Sequence, residues 1–229
     1  MRNILIVGAG SDIAVKFSGK YHTEYNIYGV SRETKLFNTK ENYKIKEYSA
    51  LGCSQAVAWF EKKKLDLDVL IIANGFGKSG KIGEIGLDKI ESMTNANLLV
   101  PYYFMHCTAS IFQRQKFGHI IVIGSVAGVK YAPNFAMYSA TKFALRALVE
   151  AFRNEIQSYN VKTTNLQPGF VATKFWDKFG PNDDEFKYEQ NISIDAEDVA
   201  NVIKYIIDSA NESKHVLNEI TCRSVYQER

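Results

Sequence analysis

Cysteine is scarce: Cys53, Cys107 and Cys222 are odd in number, far apart, and none belongs to a Cys-x-x-Cys pair. That excludes a disulfide framework and a zinc knuckle or ribbon. The four histidines, His22, His106, His119 and His215, are equally dispersed. With no ligand spacing, no metal site is expected. No stretch approaches the ~20 apolar residues that a membrane span needs. The apolar run after Met1-Arg2-Asn3 is too short for the core of a signal peptide. There is no internal repeat or low-complexity tract, and the 28 basic residues are interspersed with 25 acidic ones, for a net charge of +3. The absence of a basic block or stripe argues against a nucleic-acid partner. These absences point to a reduced, cytoplasmic, metal-free protein.

What the chain does have is apolar residues, 46% of its 229, enough for a sizeable core in one domain spanning 1–229. Short apolar runs at 3–7, 27–31, 43–48, 69–73, 119–123, 162–166 and 216–221 read as strands. Several are nearly continuous in apolar residues, as strands covered on both faces are. Helical patterns near 12–22, 52–64, 88–115, 135–159 and 195–210 alternate with them. This alternation predicts an α/β fold, doubly wound, with a parallel sheet between two helical layers. On the 135–159 helix, Leu145, Val149, Phe152 and Ile156 form a stripe for the sheet. Ala140, Ala144, Ala147 and Ala151 form a second, small-residue face, suited to the neighbouring 88–115 helix or to a partner subunit. The 174–194 segment carries Trp176, Phe179, Phe186 and Tyr188 with little periodicity, and is expected to be a substrate-binding loop or lid.

After the first strand comes Gly8-Ala9-Gly10-Ser11-Asp12-Ile13-Ala14. A glycine turn opening a helix gathers free backbone N–H groups and a positive helix end, a ready site for pyrophosphate. Asp12 either brings a carboxylate towards that anion or caps the helix. The second strand ends in Val30-Ser31-Arg32. An acidic residue there would bond the ribose 2′-hydroxyl of NAD, whereas an arginine accommodates the 2′-phosphate of NADP. Arg32 has the fork for a bidentate grip and Ser31 a further donor, so NADP(H) is favoured over NAD(H). Glu33 follows at once and offers the alternative ribose contact.

Tyr138-Ser139-Ala140-Thr141-Lys142 places a phenol and an ammonium four residues apart, on one helical face. An ammonium beside a phenol favours the phenolate and is expected to lower the Tyr138 pKa from about 10. Such a tyrosine exchanges a proton with an alcohol or carbonyl near neutral pH. Ser125 lies upstream, at the end of the apolar run of the fifth strand.

Taken in order, the turn at Gly8, Asn97, Ser125, Tyr138, Lys142 and Pro168-Gly169-Phe170-Val171-Ala172-Thr173 resemble the short-chain dehydrogenase/reductase family in its compact single-domain form. The resemblance implies about seven parallel strands in a Rossmann-like order. It implies that Tyr138 is the general acid or base and that Lys142 holds the nicotinamide ribose and tunes Tyr138. Ser125 would bond the substrate oxygen, and Asn97 would place a water linking Lys142 to solvent. Gly8, Gly10, Ser11, Asp12, Ile13, Ser31, Arg32, Asn74, Gly75, Pro168, Gly169, Val171 and Thr173 would join Tyr138 and Lys142 in the cofactor site, with Thr173 on the carboxamide. The family's Asn-Asn-Ala-Gly is here Ile72-Ala73-Asn74-Gly75, and the aspartate often found after the third strand is replaced near Ser49.

The expected activity is therefore NADP(H)-dependent interconversion of a carbonyl and a secondary alcohol on a small or medium, partly apolar substrate, by a homodimer or homotetramer. The alternative is a catalytically silent NAD(P)-binding sensor on the same fold. Sugar-nucleotide epimerases share the Tyr-x-x-x-Lys pair but need a large C-terminal domain, for which the residues after Thr173 leave no room.

Overall fold

The computed structural model describes residues 1–32, 38–180, 192–212 and 215–227. Glu33, Phe186 and Tyr188 lie outside the described residues. From the N-terminus the elements are β1 (Arg2–Val7), α1 (Asp12–Tyr21), β2 (Tyr25–Ser31), β3 (Glu41–Lys44), α2 (Ala50–Glu61), β4 (Val69–Ile72), α3 (Leu87–Thr94) and α4 (Val100–Gln115). There follow β5 (Gly118–Ile123), α5 (Ala136–Ile156), β6 (Val161–Pro168), β7 (Val171–Ala172), β8 (Ile194–Asp195), α6 (Ala196–Glu212) and β9 (Glu219–Cys222).

Seven strands form one sheet in the order β3-β2-β1-β4-β5-β6-β9. All of its pairings are parallel. The period of two in β1 explains the two layers. Leu5 and Val7 face a core completed by Phe60 of α2, Phe104 and Phe112 of α4, and Leu145, Val149 and Ile156 of α5. Ile4 and Ile6 face the opposite core, completed by Phe17 of α1 and Val199, Ile203 and Ile207 of α6. Burial on both faces is why these strands read as unbroken apolar runs. Strand order reverses at β1, whose neighbours are β2 and β4, and the crevice at the carboxyl ends of such strands is where ligands bind in this architecture.

Among the boundaries that differ from expectation, three have a physical reason in the structure. β3 is Glu41–Lys44 rather than 43–48, because this edge strand has no buried side chain to mark it. Ile45, just beyond its end, is the residue that enters the core. The 88–115 helix is interrupted by a π-helical stretch at Asn95–Leu99. Pro101 supplies the reason: it has no N–H for the carbonyl of Asn97, and its ring crowds that carbonyl, so the chain widens there. Finally, 174–194 is not wholly irregular. Its start folds into a 3-10 turn at Trp176–Lys178, and its end supplies β8, which pairs with β7.

Candidate active site

The turn after β1 is drawn against its neighbours by backbone bonds. Gly8 N–H and Ala9 N–H both donate to Val30 O at the end of β2, at 3.0 and 3.1 Å. Gly8 has φ +74°, and a Cβ there would lie 2.6 Å from the Asn74 nitrogen. Only glycine fits, for both reasons. Ser11, not Asp12, caps α1, its Oγ accepting from Ala14 N–H at 3.4 Å. Asp12 occupies the first helical position and its carboxylate accepts the Lys174 N–H at 2.7 Å. The carboxylate is thus committed to the segment after β7. Asp12 and Ile13 begin the helix, where amide hydrogens have no carbonyl four residues back to receive them.

Ser31 is buried at the end of β2, whereas Arg32 is exposed just beyond it. Asn74, after β4, donates to Ala96 O, while its Oδ1 is buried without a hydrogen-bond partner. Ser49, near which the family's aspartate would fall, caps α2 by accepting from Gly52 N–H.

Asn97 is fully buried in the π-helical stretch. Its amide donates to Phe76 O at 2.8 Å and to Thr141 Oγ1 at 3.0 Å, and its Oδ1 accepts from Phe76 N–H at 2.9 Å. Thr141, one residue before Lys142, is a partner that sequence reasoning missed; its position inside the Tyr-x-x-x-Lys pattern was the available signal. Gly75 lies over this pair, a Cβ there falling 3.5 Å from Asn97 Oδ1 and 3.9 Å from Lys142 Nζ.

Tyr138 and Lys142 share the buried face of α5. The Lys142 ammonium donates to Ile123 O at 3.3 Å and sits 5.8 Å from the Tyr138 ring centre. The Ser125 hydroxyl lies beside the Tyr138 phenol and accepts from Ala127 N–H at 3.1 Å. The structure therefore gathers Asn97, Ser125, Tyr138 and Lys142 where β4 and β5 end.

The expected direction of tuning is not the one this arrangement gives. Burial pushes the Tyr138 phenol up to about 12, opposed only by the Ser125 bond. Burial also brings the Lys142 ammonium down to about 8. Removing both groups from water outweighs their mutual influence, because Lys142 lies towards the ring and Ile123 O.

On the far side, Pro168 ends β6 and Gly169 N–H donates to Cys222 O at 2.7 Å. Val171 is buried, and its carbonyl accepts from Trp176 Nε1 at 2.8 Å and Thr173 Oγ1 at 3.3 Å. The aromatic start of the 174–194 segment packs onto Tyr138: Phe175 and Phe179 lie 5.8 and 5.2 Å from its ring centre. Tyr138 is left only 7% exposed.

The site fits a dinucleotide on its own evidence. It has a close glycine approach at Gly8, a capped helix start with unbonded amides, a buried unpartnered Asn74 Oδ1, and spare donors on a buried ammonium. Among the described residues no helix is long and apolar enough to cross a membrane, and no cluster has the makings of a metal site.

The short chain dehydrogenase family model matches residues 2–184. An uncharacterized oxidoreductase of Staphylococcus aureus is 30% identical over 160 residues, covering 69% of this chain and 65% of the relative. One from Staphylococcus saprophyticus is 34% identical over 164 residues with the same coverage. The match thus spans about 65% of the length of these curated relatives. The alcohol dehydrogenase of Thermococcus sibiricus, solved with 5-hydroxy-NADP, superposes with TM-score 0.85 at 20% identity, covering 100% of this chain and 99% of that one. Serine dehydrogenase from Escherichia coli gives 0.83 at 17% identity, covering 99% and 100%. With the family model matching from β1 into the segment after β7, the chain belongs to the short-chain dehydrogenase family and has the Rossmann-like fold of its structural neighbours.

Proposed function

We propose that this protein is an NADP(H)-dependent oxidoreductase that interconverts a carbonyl and a secondary alcohol on a small or medium, partly apolar substrate. The observation that carries the reading is the convergence of Ser125 and Tyr138 hydroxyls beside a buried Lys142 ammonium, across the sheet crevice from the Gly8 turn. NADP(H) bound in that crevice supplies the hydride. Negative charge then grows on the substrate oxygen, where the Ser125 and Tyr138 hydroxyls meet it. Tyr138 gives that oxygen its proton, and in the reverse direction takes it back. Burial keeps the phenol protonated at neutral pH, the form that donates to a carbonyl oxygen. Lys142 has donors beyond its bond to Ile123 O for the ribose hydroxyls. Asn97, tied to Phe76 and Thr141, fixes the helix beneath Lys142 and would place the relay water that links Lys142 to solvent.

In this reading Gly8, Gly10, Ser11, Asp12 and Ile13 would hold the pyrophosphate, Asn74 and Gly75 would also contact the cofactor, and Pro168, Gly169, Val171 and Thr173 would hold the nicotinamide. Asp12, held by Lys174 N–H, does not oppose the pyrophosphate. All 229 residues form one domain, 174–194 being its substrate loop, and the protein works in the cytoplasm. The test is titration of the purified protein with NADPH and separately with NADH. NADPH is expected to bind the more tightly, and Arg32→Glu to reverse the order, costing NADPH roughly 10- to 100-fold, the worth of a charge-assisted bond. Tighter NADH binding by the parent would give the ribose to Glu33 and overturn the NADP assignment. Binding of neither would bring the silent reading forward.

The small-residue face of α5 supports a homo-oligomer. Ala140, Ala147 and Ala151 are exposed and Ala144 half-buried. Packing within the chain therefore does not use most of this face.

A further inference from the structure

Phe179 is fully buried, yet it is held by a short turn rather than by a helix or strand. Its ring stands edge-on to the Tyr138 ring, at 5.2 Å and 88°. Phe135 and Trp176 flank it at 4.9 Å each, and Phe175 at 5.3 Å. The opposite wall is a notch at Gly77. A Cβ there would lie 2.3 Å from the Phe179 ring and 2.6 Å from Phe175, so any other residue would expel them. On the backbone, Phe179 O accepts from Ser79 N–H, and Phe179 N–H donates to Trp176 O.

A reacting oxygen must come within hydrogen-bond reach of the Tyr138 phenol. With Tyr138 only 7% exposed beneath Phe175 and Phe179, a substrate of any size must displace part of this cover. The space vacated is already shaped for a single flat ring. It has an aromatic wall on several sides, a glycine notch on another, and the proton donor at its edge. A ring in the same place would regain the edge-to-face contacts that Phe179 gives up.

We propose that Phe179 is an internal stand-in for the substrate: its socket at Gly77 takes a phenyl-sized, flat apolar ring, and the substrates are ketones or secondary alcohols with the reacting carbon attached to that ring. This rests on the oxidoreductase reading above and deepens it. Phe179 is then a specificity-determining residue, since ring and stand-in compete. The free protein is self-occluded, and apparent affinity is reduced by the fraction of molecules in which the socket is open.

The test uses ring and chain alcohols of one reacting group. In a Trp59→Phe protein, Trp176 is the only tryptophan left, and it lies against Phe179. Titration with 1-phenylethanol is expected to change its emission saturably, while 2-butanol leaves it unmoved. Phe179→Ala in the same background is expected to tighten 1-phenylethanol by roughly tenfold or more, as an open state of a tenth or less would require. It should likewise lower the KM for acetophenone relative to 2-butanone. Equal responses to both alcohols, or weaker 1-phenylethanol binding once Phe179 is removed, would make Phe179 a fixed wall and overturn the proposal. NADPH titration of the same samples separates the two readings: retained cofactor binding with no ring preference sinks only this inference, and lost cofactor binding sinks the reading beneath it.

Discussion

At the scale of single residues, the proposed chemistry rests on Tyr138, and its environment defines what it can do. A phenol raised to about 12 by burial, with Ser125 beside it, is protonated at neutral pH. We expect Tyr138→Phe to lower turnover by roughly 10²- to 10⁴-fold, the usual contribution of a positioned acid or base. Cofactor binding and thermal unfolding should change little, because the ring contacts to Phe175 and Phe179 survive the loss of one hydroxyl. Stopped-flow NADPH oxidation alongside a cofactor titration checks both halves. Activity within a few-fold of the parent would remove Tyr138 from its role. The tyrosine–lysine pair was legible in the sequence because helical spacing alone aligns the two side chains. Their tuning was not, since it depends on burial by Phe175 and Phe179, which are remote in sequence. Asp12 was ambiguous for a similar reason: its partner, Lys174 N–H, lies 162 residues on.

At the scale of elements, strands covered on both faces were readable as apolar runs, and the edge strand β3 was not, because none of its residues is buried. The long helix before β5 was read as continuous, although Pro101 was in plain view. Its effect falls on the carbonyl of Asn97, so the same proline marks both the π-helical stretch and the candidate site asparagine. Helix α5 was read correctly on its sheet side, where Leu145, Val149 and Ile156 are buried. Its alanine face bears on assembly. Small side chains let another helix approach closely, and a bulky one at the centre would hold it off. We expect the parent to sediment as a dimer or tetramer and Ala147→Trp to shift it to the monomer. Ala147 is exposed, so the indole should cost the fold little. A parent that is monomeric at every concentration would end the idea.

At the scale of the whole molecule, the parallel sheet that brings the site together also buries ionisable groups, and these set how stability follows pH. His119 on β5 is buried, with its Nε2 2.7 Å from Thr164 Oγ1 on β6. Burial foremost, with the nearby Lys162 and Arg2 charges, brings it down to about 3 from 6.5. Between those values the unfolded chain binds a proton that the folded one refuses, so stability falls as pH falls through this window, by up to about 1.4 kcal/mol per pH unit for one group. Lys142 has the same sign at higher pH: lowered to about 8 from 10.5, it weakens the fold less as pH rises across that interval. Tyr25, Tyr48 and Tyr138, each raised to about 12, have the opposite sign above 10, because the folded chain keeps protons that the unfolded one has lost. Maximum stability should therefore lie between neutrality and pH ~10. Urea unfolding from pH 7 down to 4 tests the acid limb. His119→Gln stays neutral and keeps a group that can donate to or accept from Thr164, so its stability should fall less steeply with acid than the parent's, by close to one proton's worth of slope. Parallel slopes for the two proteins would mean that His119 titrates alike folded and unfolded, and that the acid limb belongs to the carboxylates.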